Sequence, residues 1–233
     1  MGSLTALLLA TPIFGFSLQP PTVAEVVDLS AKTAAEVQAN DEASAHEAKS
    51  GNDSQHEYVE QIKRRNTIAS IHRPFGIATW AAMTLTLAAG FIDYYNLYGI
   101  GANQGNNPCV KGTAVGGDGG CSAFRTIKSS AAYVTTALYA TTFTLSLMMP
   151  DPDNLSEGKG EFASTLRLHK TLRWVHFGGM VAQILLGIVM AHSLFGLDRA
   201  NNYGTLQALS TVHMGIGLVT WGALTWAGAL MTF

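Results

Sequence analysis

Four stretches of this 233-residue chain carry no Asp, Glu, Lys or Arg, and each is about as long as a bilayer-crossing helix or longer. The first lies between Arg73 and Asp93, and the second runs from Ser129 to Pro150. The third runs from Trp174 to Leu197, and the fourth begins after Arg199 and can continue to Phe233. A segment in hydrocarbon has no water to satisfy its backbone, so the helix is the form open to such a stretch. Charged residues make up 13% of the chain, roughly half the share of an ordinary soluble domain. They crowd into residues 24–73 and 151–173. The expected fold is therefore all-α, a four-helix transmembrane bundle over residues 66–233. Residues 1–65 precede it as an apolar segment and a polar, partly helical tail. The lipid bilayer is the first expected partner. The net charge of −2 and the lack of a basic face exclude nucleic acid.

Residues 1–18 are apolar but too short to span, so they read either as a signal-peptide core or as an interfacial anchor. Residues 24–66 are rich in Ala, Glu, Asp, Gln, Asn and Ser, and His46 and His56 within them are expected to be solvated. Pro150-Asp151-Pro152 is a hard stop for the second stretch. A Gly- and Asn-rich loop over 96–127 holds Cys109 and Cys121, for which a disulfide on an oxidising face is expected. No CxxCH motif is present, so a covalently attached haem is not encoded.

Side A is the face carrying residue 70, and side B the opposite one. Side A holds Lys63, Arg64, Arg65, Arg73, Lys159, Arg167, Lys170 and Arg173, whereas side B holds Lys111, Arg125, Lys128 and Arg199. The excess predicts that side A is cytoplasmic and the cysteine loop outside. A cleaved signal peptide would reverse that order.

The histidines sort by depth. His72, His169 and His176 fall at side A, and His192 and His213 at side B. One haem iron takes two imidazoles at one height on facing helices. Side A offers His72 with His176 or His169, and His176 lies deeper in the apolar span. Side B offers His192 with His213. His176 and His192 differ by about 24 Å along a helix and by about 160° around it, so two such sites would occupy opposite membrane faces. Ionisable side chains in a span are functional candidates by default. The competing explanation is that they hydrogen-bond helices together. Arg73, Lys170 and Arg173 flank the side A histidines, as propionate partners or as interfacial anchors. Asp93, at the side B end of the first span, reads as a helix-end carboxylate or as a proton-handling group at a quinone pocket.

Three short segments carry a family resemblance. His72-Arg73-Pro74-Phe75-Gly76 resembles the opening of a first ligand helix, residues 172–190 (LRWVHFGGMVAQILLGIVM) a third helix, and residues 213–224 (HMGIGLVTWGAL) another ligand helix of the cytochrome b561-like superfamily of four-helix, bis-histidine membrane cytochromes. The resemblance covers roughly residues 66–233. It implies non-covalent haem b, two or one, with iron held by His72, His176, His192 and His213, and with His169, Arg73 and Arg173 beside the cofactor. It also implies electron transfer with quinone or a partner cytochrome. The chain carries no nucleotide or flavin motif, so substrate chemistry would need a partner, and a subunit of an oxidoreductase complex is expected, in the bacterial inner membrane. The chain departs from the family in its second span, which holds no histidine. No catalytic residue is expected. The rival expectation is a cofactor-free structural membrane subunit.

Overall fold

The computed structural model describes residues 44–192 and 194–231. The apolar segment 1–18 and residues 24–43 of the polar tail lie outside the described residues, as does the side chain of His46. Four long helices carry the described chain, with no strand among the described residues: α1 (Ser44–Tyr98), α2 (Gly120–Met148), α3 (Glu161–Ala191) and α4 (Tyr203–Leu230). The chain divides into two units at Gln55 and His56. Of the first unit the described part is the helical backbone of residues 44–55. The second unit, His56–Phe233, holds everything below.

Three helices, Ser54–Tyr98 of α1, α3 and α4, are long and apolar enough to cross a membrane, which points to an integral membrane protein in contact with lipid. Helix α2 does not reach that level, because Thr135, Thr136, Thr141, Thr142 and Thr144 dilute its apolar side chains.

The hydroxyls have a use. Thr79 pairs with Thr142 at 3.0 Å, Thr86 pairs with Thr135 at 2.9 Å, and Asp93 forms an ion pair with Lys128. Each rung lies seven residues further up α1 and seven further down α2, so the two helices are antiparallel with the period of a coiled coil. The row continues beyond side A. Arg65 donates to the Pro150 carbonyl at 2.8 Å, and the Tyr58 hydroxyl donates to Asp153 at 3.0 Å. Lipid provides no hydrophobic drive between helices, so hydrogen bonds and close packing set which faces meet.

The other pairs are antiparallel as well. Between α1 and α4, the Trp80 indole donates to Thr225 and the Trp221 indole to Thr84, each at 2.9 Å, and the Tyr94 and Thr211 hydroxyls meet at 2.8 Å. Between α2 and α3, the Phe143 and Phe177 rings stack at 4.4 Å. Between α3 and α4, Gly179 lies against Thr220 so closely that a Cβ there would be 2.0 Å from the Thr220 hydroxyl oxygen. Met83, Tyr139 and Met180 form the central core, with Phe143, Phe177, Trp221 and Leu224 around them.

The helix ends follow local chemistry, although α1 and α2 run further than the uncharged stretches. Helix α1 starts in the polar tail and passes through Pro74, which leaves the Ser70 carbonyl without its intrahelical donor. It stops at Gly99, whose φ of +59° suits glycine. Helix α2 begins nine residues before Ser129, because the loop ahead of it is fastened down. Cys109 and Cys121 are joined in the expected disulfide. The Asn96 carboxamide bonds both the N–H and the carbonyl of Val115. A Cβ on Gly120 would sit 2.0 Å from that carbonyl oxygen. The Gln104 amide donates to the carbonyls of Arg199 and Ala200, tying this loop to the turn between α3 and α4.

On side A the loop after α2 is held by one carboxylate. Asp151 accepts from Lys170 at 2.8 Å, from Arg65 at 3.3 Å and from the Leu155 amide at 3.1 Å. Partial burial pushes its carboxyl up, but the Lys170, Leu155 and Arg65 contacts outweigh that and hold it below the usual carboxylate range. A lowered carboxyl stabilises the fold fully above its unfolded value of about 3.9 and loses that contribution as pH falls through the folded value. The protection of the Leu155 amide against hydrogen exchange is therefore expected to hold down to about pH 4 and to drop below it. Asp151→Asn is expected to remove that acid-dependent step. A step unchanged in the variant would assign it to another group.

Candidate functional site: a histidine cluster at side A

Four helices bring three imidazoles together near side A. His72 comes from α1, and His169 and His176 come from α3, seven residues apart and hence on one face. His169 is within electrostatic reach of both His72 and His176, and Arg173 is within reach of all three. Helix α2 contributes no histidine but supplies partners. The Thr142 carbonyl accepts from His72 Nδ1–H at 3.1 Å, and the Tyr139 hydroxyl meets His176 Nδ1 at 2.8 Å. Helix α4 supplies the Ala227 carbonyl, which accepts from His169 Nδ1–H at 2.9 Å.

These partners fix the chemistry of the rings. A carbonyl oxygen only accepts, so His72 and His169 carry their protons on Nδ1. Each then presents Nε2 with a free lone pair, the state required of an imidazole that ligates a metal. His176 differs, because a tyrosine hydroxyl can donate or accept and leaves its tautomer open. Its ring is buried and lies edge-on to Tyr139 at 5.6 Å.

The three flanking cations separate clearly. Arg73 is exposed. Lys170 is committed to Asp151 and to the Ser156 hydroxyl, each at 2.8 Å. Arg173 lies over the Trp174 ring at 5.2 Å and reaches the Ser146 carbonyl at a long 3.4 Å. Its Nε–H is buried without a partner, and no ion pair among the described residues includes it. A half-buried guanidinium lacking an anion beside three imidazoles is a donor set that a carboxylate-bearing metal macrocycle would satisfy.

Side B is arranged differently. His213 sits on α4 with its Cε1 3.8 Å from where a Cβ on Gly187 would lie. Its main-chain carbonyl accepts from the Gln183 amide, and its Nδ1 is buried without a partner. His192 is the C-cap of α3 and is exposed. No described contact joins His192 to His213. His56 is exposed on α1. No group of three or more His, Cys, Asp or Glu side chains that could hold a bare metal ion occurs among the described residues.

Sequence reasoning missed the partners rather than the histidines. The row Thr79, Thr86, Asp93 and its counterpart Lys128, Thr135, Thr142 are written at seven-residue spacing, and that period was the available signal. Tyr139 carries no such mark. Compared with models of known protein families, with curated proteins and with solved structures, the chain matches none of them.

Proposed function

We propose that this protein is a four-helix transmembrane cytochrome of the b type, with α2 as the fourth span, that carries electrons within a membrane redox complex. The observation that carries the reading is the pair of Nδ1-anchored imidazoles, His72 and His169, beside the unpaired guanidinium of Arg173. A bound haem b supplies one-electron oxidation and reduction. In this reading His72 and His169 offer Nε2 to the iron from two different helices, with His176 as the alternative to His169. Arg173 offers Nε–H to a propionate, and Tyr139 orients His176. The site is expected in the cytoplasmic leaflet of a bacterial inner membrane, with the disulfide-closed loop on the oxidising side. Quinone or a partner cytochrome is the expected donor or acceptor. A second haem at the side B level has weaker support, since His192 and His213 share no contact.

One observation favours a second reading, a cofactor-free structural subunit. The bonds from His72 to Thr142 and from His169 to Ala227 join α1 to α2 and α3 to α4, so the same rings also act as interhelical ties. Reduced-minus-oxidised spectra and a pyridine haemochrome assay on the purified chain separate the two. One haem b per chain, or two, supports the cytochrome. Well-folded protein free of haem b supports the structural subunit.

A further inference from the structure

We propose that the groove between α3 and α4 on the outer face of the bundle binds an anionic phospholipid, with an acyl chain along its glycine-lined floor and the phosphate at Arg167. The groove measures about 440 Å³ and is lined by Gly178, Gly179 and Ala182 of α3 and by Gly215, Ile216 and Val219 of α4. Gly179 is explained by its contact with Thr220. Gly178 and Gly215 are not explained by packing. Both are exposed, neither has a positive φ, and a Cβ added to either meets no atom within 4 Å. Glycine weakens a helix interior relative to alanine. Two glycines that neither the backbone nor the bundle requires therefore point to an occupant outside it.

The charge above the groove selects the occupant. Gly178 and Gly215 lie within two residues of the middle of their helices. Arg167 precedes Gly178 on α3, and Trp226 follows Gly215 on α4, by eleven residues each. That spacing makes about three turns and a rise of about 16.5 Å, so each stands over its glycine towards side A. Half the hydrocarbon core is about 15 Å thick, which puts both residues at headgroup level. Both are exposed. Arg167 donates from Nη1 to the carbonyls of Ser156 at 2.8 Å and Gly158 at 3.0 Å, which leaves its Nη2 and Nε donors for an outside acceptor. No ion pair among the described residues includes it. A guanidinium held in place above an apolar groove suits a phosphate above an acyl chain, and an indole suits the interface beside it. The same charge disfavours a second copy of the chain. A two-fold axis along the membrane normal would bring Arg167 against Arg167. The inference rests on the membrane-spanning reading, not on haem.

The test is native mass spectrometry of the full chain, titrated with phosphatidylglycerol and, separately, with phosphatidylcholine of the same acyl chains. The first phosphatidylglycerol is expected to bind about fivefold more tightly, the effect of one cation beside an anionic headgroup. Arg167→Gln should abolish that preference and leave the phosphatidylcholine affinity unchanged. Gly178→Leu places a side chain in the groove, where its Cβ meets no protein atom, and should weaken both lipids while keeping the helix content. Equal affinities in the wild-type chain, or a preference that survives Arg167→Gln, overturn the proposal whether or not the glycine variant folds. Undiminished lipid binding by folded Gly178→Leu overturns it too. So does a wild-type dimer that Gly178→Leu dissociates, which would assign the groove to a second copy. Haem content is not part of the readout, so either this site or the proposed cytochrome can fail alone.

Discussion

Replacing His72 or His169 with alanine is expected to remove haem b from the purified chain, lowering affinity by more than a hundredfold. Loss of a group that merely orients a metal-ligating histidine costs about 10–100-fold, and loss of the ligand itself exceeds that. The side A substitutions also break interhelical bonds, so loss of haem alone would not separate a ligand from a tie. Two controls do. Imidazole added to His169→Ala should restore the low-spin spectrum if the ring supplied a lone pair, and should do nothing if it only linked α3 to α4. His192→Ala, at an exposed helix cap, should leave the side A absorbance unchanged. His176→Ala decides between the two α3 histidines. Haem retained there and lost in His169→Ala supports the carbonyl-anchored pair, and the opposite pattern makes His176 the ligand and His169 the tie. Haem retained in all three side A variants ends the proposal for this site.

Much of the architecture is legible because lipid imposes few options. Charge-free stretches of spanning length mark α1, α3 and α4, and Pro150-Asp151-Pro152 marks the end of α2. The extent of α1 was not legible, since the polar run ahead of Arg73 offers no apolar period and yet continues the same helix from Ser44. The start of α2 was hidden for a different reason. It depends on the disulfide and on the two bonds from Asn96 to Val115, contacts between residues 12 and 19 positions apart that no local pattern encodes.

The candidate site divides in the same manner. Depth along the helices sorted the histidines, because rise per residue is fixed once a span is placed. Choosing between His169 and His176 required knowing what faces each ring. Depth alone favoured His176, which lies further into the apolar span. The partners favour His169, because a backbone carbonyl dictates the tautomer and a tyrosine hydroxyl does not. Arg173 stands out among its basic neighbours only once Asp151 is seen to occupy Lys170.

Gly179→Ala is expected to destabilise the protein by about 1–3 kcal/mol, the cost of forcing a methyl group into a filled interior, and to loosen the side A site with it. The added Cβ would lie 2.0 Å from the Thr220 hydroxyl oxygen and 3.0 Å from both its Cβ and Cγ2. Rotating Thr220 cannot relieve this, because its own Cβ is among the atoms struck, and the residue is 2% exposed. The helices must part instead. Helix α3 carries His169 and α4 carries the Ala227 carbonyl that holds it, about ten residues or 15 Å along α3 from the clash. Separation of α3 from α4 should therefore lengthen the bond from His169 to Ala227 while leaving His72 and Thr142, on α1 and α2, undisturbed. The expected result is a lower unfolding temperature in detergent together with faster loss of haem. Thr220→Gly removes the struck atoms, so the double variant Gly179→Ala with Thr220→Gly should recover most of the loss as a coupling between neighbours. Two independent, additive losses would mean that the α3–α4 crossing is looser than this contact implies, and that His169 does not depend on it.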